Sequence, residues 1–313
     1  MPRVIDCPTD EKLELAELVE LLHTGDFDSS DEDNFASWGL QLRKLANDRR
    51  FLADLMMAEL KQRCAGQLKD NQYSAQVVML HAHPNSRFVM RANFWPALKD
   101  SVVRHSGPDP FFYGVPHDHN FSFLTVGYLG PGYWSDYYEY DYGSVVGYPG
   151  ESVNLRFVEK ARLDEGKVML YRAHKDIHLQ LPADAMSVSL NIVETSHNSV
   201  FRDQYQFDVE QSTIAGIMTR TSLEPMLALT AHFGGDEGED LLRHFAAVHP
   251  SDRVRWAALR AQAAAAPGLD GRIAVFERGT HADSALVSTM ARREIARLEA
   301  NRAWIAGAHL SNA

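Results

Sequence analysis

Between residues 71 and 210 the chain is cut into short apolar runs by Gly, Pro, Asn and Asp, and this punctuation limits its possible folds more than any other feature. Short runs rich in Val, Ile, Tyr and Phe between turn residues read as β-strands. Ala75–His83 and Arg87–Trp95 lie on either side of Pro84-Asn85-Ser86 and predict a hairpin. The run Phe121–Leu129, closed by Gly130, comes next, followed by Tyr133–Tyr142. Alternation on a strand puts Tyr137, Glu139 and Asp141 on one face of that last run and Trp134, Tyr138 and Tyr140 on the other. Further strands are expected at 152–161, 167–172, 177–181, 185–193 and 200–209. So many short strands imply a sandwich or a barrel.

Two histidine clusters sit at strand mouths in this region. His117-Asp118-His119 enters the run Phe121–Leu129. Residues two apart on a strand point the same way, so both imidazoles can meet a first-row metal with nitrogen ligands. The second cluster, His174-Lys175-Asp176-Ile177-His178, precedes the run Ala185–Val193 and offers His174 or His178 as a third ligand. If both face inward, His174 with Glu139 or Asp141 makes a second metal position. A further His-x-His, His81/His83, is backed by Pro84 and reads as structural. The connection Lys99–Pro116, with Gly107, Pro108, Pro110 and Gly114, is long enough to act as a lid beside the first cluster.

Helical periodicity flanks this core on both sides. Leu13, Leu15, Leu18, Leu21 and Leu22 make an amphipathic stripe among glutamates, and further stripes run through Trp38–Leu45 and Phe51–Leu60. The acidic break Gly25–Asp33 reads as a solvated loop capping the next helix. From about 211 the pattern is helical again, with Ile214, Ile217 and Met218 at its start. The expected organisation is α+β: helices over 1–70, a β-barrel over 71–210 and helices over 211–313. Apolar stripes must be buried against the barrel, each other or a second subunit, which leaves a homodimer open. The expectation is that they pack on the barrel and roof the site together with the Lys99–Pro116 loop.

A net charge of −11 argues against nucleic acid or an anionic membrane as the main partner. No window reaches the length of a membrane span and no apolar signal core opens the chain. Cys7 and Cys64 are too few for a disulfide framework, so a cytoplasmic location is expected.

The histidine motifs resemble the cupin superfamily, the double-stranded β-helix barrels. Its first motif, a His-x-His pair, an acidic residue and a closing glycine, matches His117, His119 and Gly130, with Phe123 at the acidic position. The second runs from a glycine to a histidine before an apolar strand, and Gly166 and His178 fit it with Ser187–Ile192 behind. The resemblance covers residues ~70–200. Three histidines without the acidic ligand, together with Phe94-Trp95-Pro96, are similar to the cysteine-dioxygenase-like branch. That branch carries a supporting His and Tyr on the following strand, where this chain has Asn191 and Val193. The metal site is carried over and the thiol substrate is not.

The resemblance thus implies a metal-dependent enzyme, with Fe(II) as the leading metal and Zn or Mn as alternatives, taking O2 and a small-molecule or peptide-derived substrate. Candidate catalytic residues are Arg91, which can pair with a substrate carboxylate, and Tyr137 and Glu139 on the facing strand. The rivals are a 2-oxoglutarate-dependent oxygenase, a Zn- or Mn-dependent hydrolase or isomerase, and a binding module without catalysis.

Overall fold

The computed structural model describes residues 1–71, 73–74, 76–195, 201–219 and 221–304. Its described part divides into two compact units. One comprises Met1–Tyr142, Ser152–Ser199 and Gln204–Ala215; the other comprises Gly143–Glu151, Val200–Asp203 and Gly216–Ala313.

The first unit is mixed helix and antiparallel sheet. Its main sheet has six strands: β1 (Arg3–Ile5), β7 (Val168–Tyr171), β4 (Phe123–Leu129), β9 (Ser187–Glu194), β3 (Phe88–Trp95) and β2 (Val77–His81), in that spatial order. The hairpin expected around Pro84 is the β2–β3 pair. A second, three-stranded sheet runs β6 (Arg156–Arg162), β5 (Trp134–Glu139), β8 (Asp176–Gln180). Strands β10 (Tyr205–Asp208) and β11 (Thr213–Ile217) form a pair of their own. His117 bridges β8 and β10 through His178 and Gln206. His117 is thus the seam between two pieces of sheet.

Alternation sorts the six-stranded sheet into two chemically different faces. Phe88, Met90, Ala92, Leu124, Val126, Val168, Leu170, Leu190 and Ile192 form one, and all are buried. The N-terminal helices cover this face: α1 (Leu15–Thr24), α2 (Glu32–Ser37), α3 (Gly39–Asn47) and α4 (Phe51–Lys61) contribute Leu18, Leu22, Phe35, Leu42, Leu45 and Leu52 to the same core. Asp31 caps α2, accepting from the Asp33 and Asn34 amides, as the acidic break leads one to expect. α5 (Ala65–Asp70) follows before β2.

The opposite face carries Arg91, Asn93, Trp95, Phe123, Thr125, Met169, Tyr171, Ser189, Asn191 and Val193, a row rich in polar groups yet buried. The histidines lie on this side. The N-terminal helices therefore do not roof the site, because their apolar stripes match the apolar face of the sheet and not the polar one. The Lys99–Pro116 segment does reach the site. It contains α6 (Ser101–Ser106) and sends Val103, Phe111 and Tyr113 into the cluster that also holds Trp95, Phe123, Tyr137 and Tyr171.

The second unit is helical: α7 (Leu223–Phe233), α8 (Gly235–Val248), α9 (Asp252–Ala265), α10 (Gly268–Gly279) and α11 (Ala285–Ala300). Its core is built from Trp256, Leu259, Ile273, Phe276, Val287 and Leu298, with Leu227, Leu242 and Val254 beside it. Helical character begins at Leu223 and not at 211, since Ile214 and Ile217 belong to β11. Ile214 is buried and Ala215 exposed, a period-two pattern that only two apolar residues in the sequence announce. Among the described residues no helix is long and apolar enough to cross a membrane.

Candidate metal centre

The centre begins with backbone pairing. The His117 N–H donates to the His178 carbonyl at 3.2 Å and the His178 N–H donates back to His117 at 3.0 Å. Residues that exchange both bonds sit directly opposite each other in an antiparallel ladder, with their side chains on one face. His119 is two residues further on and faces the same way. Its carbonyl is held by the His174 N–H at 2.8 Å. As a result, the Nε2 atom of His178 lies 3.1 Å from Nε2 of His117 and 3.1 Å from Nε2 of His119.

The protonation states favour a metal ligand set. Nδ1 of His117 lies 2.8 Å from the Val115 carbonyl oxygen. A carbonyl only accepts, so Nδ1 carries the proton and Nε2 presents a lone pair. All three side chains are buried, and burial pushes their basicity down. For His117 the Val115 carbonyl and Asp118 oppose this; for His119 and His178 neighbouring imidazoles add to it, and both are held well below the usual histidine range. Three buried imidazoles thus converge with their Nε2 atoms at contact distance around His178. Nitrogen ligands about 2.0–2.1 Å from a metal stand about 3.3 Å apart in a tetrahedron and about 3.0 Å apart at octahedral right angles. The two separations measured from His178 fall between these values, and all three ligand atoms lie within 4.8 Å of one another. Among the described residues, this set is the one group of three or more His, Cys, Asp or Glu side chains whose ligand atoms converge in this way.

Of the two candidates for the third ligand, the structure brings His178 to the other pair. His174 has a left-handed backbone (φ 58°) and its ring is turned aside, 4.0 Å from the Tyr142 ring and with Nδ1 3.7 Å from Asp118. Asp118 itself points away from its histidine neighbours, as alternation requires, and accepts from the Tyr140 hydroxyl and the Tyr205 amide at 2.6 Å each. Glu139 is engaged by Arg156, by Arg172 at 3.2 Å and by the Met1 amino group at 2.6 Å. Burial alone would raise its pKa, but these cations outweigh it and bring it down to about 2. The pair His81/His83 lies apart from the centre, with His81 against His23.

Tyr137 stands opposite His178 in the β5–β8 ladder and is fully buried. Its hydroxyl meets that of Tyr171 at 2.9 Å. The Tyr171 ring stacks on Phe123 at 4.4 Å and lies 5.0 Å from the His178 ring. Burial raises Tyr137, Tyr171 and Tyr133, the last to about 12, so all three remain neutral hydroxyls at physiological pH.

Arg91 is 8% exposed and lies on the polar face of the six-stranded sheet. It pairs across β3, β9 and β4 with Asn191, which in turn pairs with Thr125, so the three form one row. Its Nε has no hydrogen-bond partner, and no carboxylate lies within ion-pair distance of it among the described residues. Its guanidinium lies 4.7 Å from the centre of the Tyr73 ring, a cation–π contact. Burial lowers its basicity against the opposing pull of Tyr73, and its charge is one of those that lower His119. Asn93 Oδ1, Thr125 Oγ1 and Asn191 Oδ1 are likewise buried without a partner. Sequence reading alone does not single out Tyr171 or Thr125. The parity of β4 counted from Phe123, and of β7 counted back from the turn before β8, is the signal that finds them.

No family model matches this chain, and no curated protein matches it. Similar solved structures include a hydroquinone 1,2-dioxygenase in complex with Cd2+ and 4-hydroxybenzonitrile, 11% identical over 41% of this chain and 68% of that one, with a TM-score of 0.24. A DMSP lyase from Ruegeria pomeroyi is 13% identical over 63% of this chain and 78% of that one, with a TM-score of 0.25. A cupin-like protein from Thermotoga maritima is 12% identical over 44% of this chain and 80% of that one, with a TM-score of 0.23. Likenesses this distant assign nothing to the residues of this chain.

Proposed function

We propose that this chain is a cupin-type metal enzyme, a non-heme Fe(II) oxygenase acting on a small substrate that bears an anionic group. The observation that carries the reading is the convergence of three imidazoles, from His117, His119 and His178, in a buried site. Such a set suits a divalent first-row metal, and with three protein ligands it leaves positions open. Bound Fe(II) would supply the redox chemistry with O2. The protein's own residues do the rest. Arg91 is a buried cation whose missing counter-charge a substrate carboxylate would provide, and a guanidinium accepts a carboxylate on two N–H groups at once. Asn93, Asn191 and Thr125 lie on the same wall and give polar contacts that orient that group. Tyr137, Tyr171 and Tyr133 stay protonated and donate hydrogen bonds. Trp95, Phe123 and Met169 keep water out. Glu139, locked among cations, ties β5 to Arg156 on β6 and to Arg172 ahead of β8, and is not assigned proton transfer.

The test is oxygen consumption by the anaerobically iron-loaded protein, using amino acids and other small carboxylates as candidate substrates. Turnover that needs iron and is lost in His178→Ala supports the reading. Turnover with Zn or Mn and no oxygen uptake would place the protein among hydrolases or isomerases. A strict requirement for 2-oxoglutarate would move it to that class of oxygenases.

A further inference from the structure

The pair His81/His83, set aside above as structural, turns out to have a distant partner. His23 lies in the last turn of α1, and its Nε2 is 3.3 Å from Nε2 of His81 on β2. Both rings rest on the buried Phe88: His81 stacks on it at 5.2 Å and His23 lies 4.9 Å from it. This base fixes the two imidazoles relative to each other, with an interplanar angle of 75°. Leu18 and Leu22 anchor α1 in the core, so His23 is presented from a rigid element and not from a loop.

We infer that His23 and His81 form a second, surface site for a first-row divalent cation, separate from the buried triad. Three observations point this way. First, 3.3 Å is the edge of a tetrahedron of nitrogen ligands about 2.0–2.1 Å from zinc, while it is long for a hydrogen bond between two ring nitrogens. Second, His23 is exposed and His81 half-buried, so the outer side of the pair is open to water and leaves coordination positions for it. Third, the site lies at the C-terminal end of α1, where the helix dipole favours positive charge. Burial and the nearby His23 and His83 also disfavour the protonated form of His81, which keeps its ring available as a ligand near neutral pH. A cation held there would tie α1 to β2 and so clamp the N-terminal helices to the sheet they cover.

The probe is Zn2+ alone, titrated calorimetrically into metal-stripped full-length protein. The wild type is expected to bind two equivalents in separable classes. His23→Gln and His81→Gln should each lose one class, or weaken it more than tenfold, and keep the other. His83→Gln should keep both. Because His23 and His81 lie at the surface, these variants are expected to fold, and circular dichroism checks this. If both variants bind zinc as the wild type does, the proposal is overturned, whether the wild type binds one equivalent or two. The outcome is independent of the triad reading, since His178→Ala should lose the other class and keep this one.

Discussion

Arg91 offers the most discriminating test of how the chamber is built. A guanidinium that is 8% exposed, with no carboxylate near it among the described residues, carries a desolvation cost of several kcal/mol. The cation–π contact with Tyr73 returns about 1 kcal/mol of this. Arg91→Met keeps most of the aliphatic stem and removes the charge, and an exchange of similar volume costs less than about 1.5 kcal/mol in packing. The substrate-free protein should therefore gain about 1–3 kcal/mol. For a unit of this size that means a rise in melting temperature of about 2–4 °C per kcal/mol. The same variant should lose most of its affinity for anionic ligands, because the cation that answers their charge is gone. Urea and thermal denaturation of substrate-free wild type and Arg91→Met, read alongside ligand binding, make the comparison. If Arg91→Met is destabilised by more than about 1 kcal/mol, Arg91 is already balanced within the protein, and its assignment to an incoming anion fails.

Other predictions follow from the same geometry. His178→Ala should lose the metal of the buried triad, whereas His174→Ala should keep it, as elemental analysis of the purified variants will show. Glu139 has its folded-state pKa lowered from 4.5 to about 2, so its stabilisation is complete above pH 4.5 and is lost as pH falls towards 2. Glu139→Gln should be less stable at neutral pH, and its stability should change less across that window than the wild type's. Leu42→Ala, in the core between the N-terminal helices and the sheet, should cost about 2–5 kcal/mol in denaturant unfolding. A fragment starting at residue 71 should expose the face of Phe88, Met90, Leu124 and Leu190 and aggregate in size-exclusion chromatography.

What was legible in the sequence was whatever local periodicity encodes. The His117-x-His119 spacing depends on period-two alternation and the turn around Pro84 on its Pro-Asn-Ser chemistry, and the structure shows the hairpin and the two histidines on one side. Spacing alone leaves His174 and His178 both open, because the choice depends on which residue faces His117 across a ladder formed with a distant segment; only the motif running from Gly166 points to His178. The place of the N-terminal helices is hidden for a related reason. Their stripes show that a face must be buried but not which face of the sheet matches it, and only the parity of β3, β4 and β9 decides that. β11 was hidden because Ile214 and Ile217 fit a helical spacing as well as an isolated strand. The His23–His81 contact joins residues far apart in the sequence, which no motif would connect.

The central claim is that His117, His119 and His178 hold one metal ion through their Nε2 atoms. X-ray absorption spectroscopy on the full chain loaded with a single equivalent of Fe(II) tests it most directly. The expected result is a nitrogen and oxygen shell at about 2.0–2.2 Å with outer-shell scattering from three imidazoles, a signature that His178→Ala loses together with the ion. A spectrum with one imidazole or none, or one unchanged by that substitution, would contradict the account.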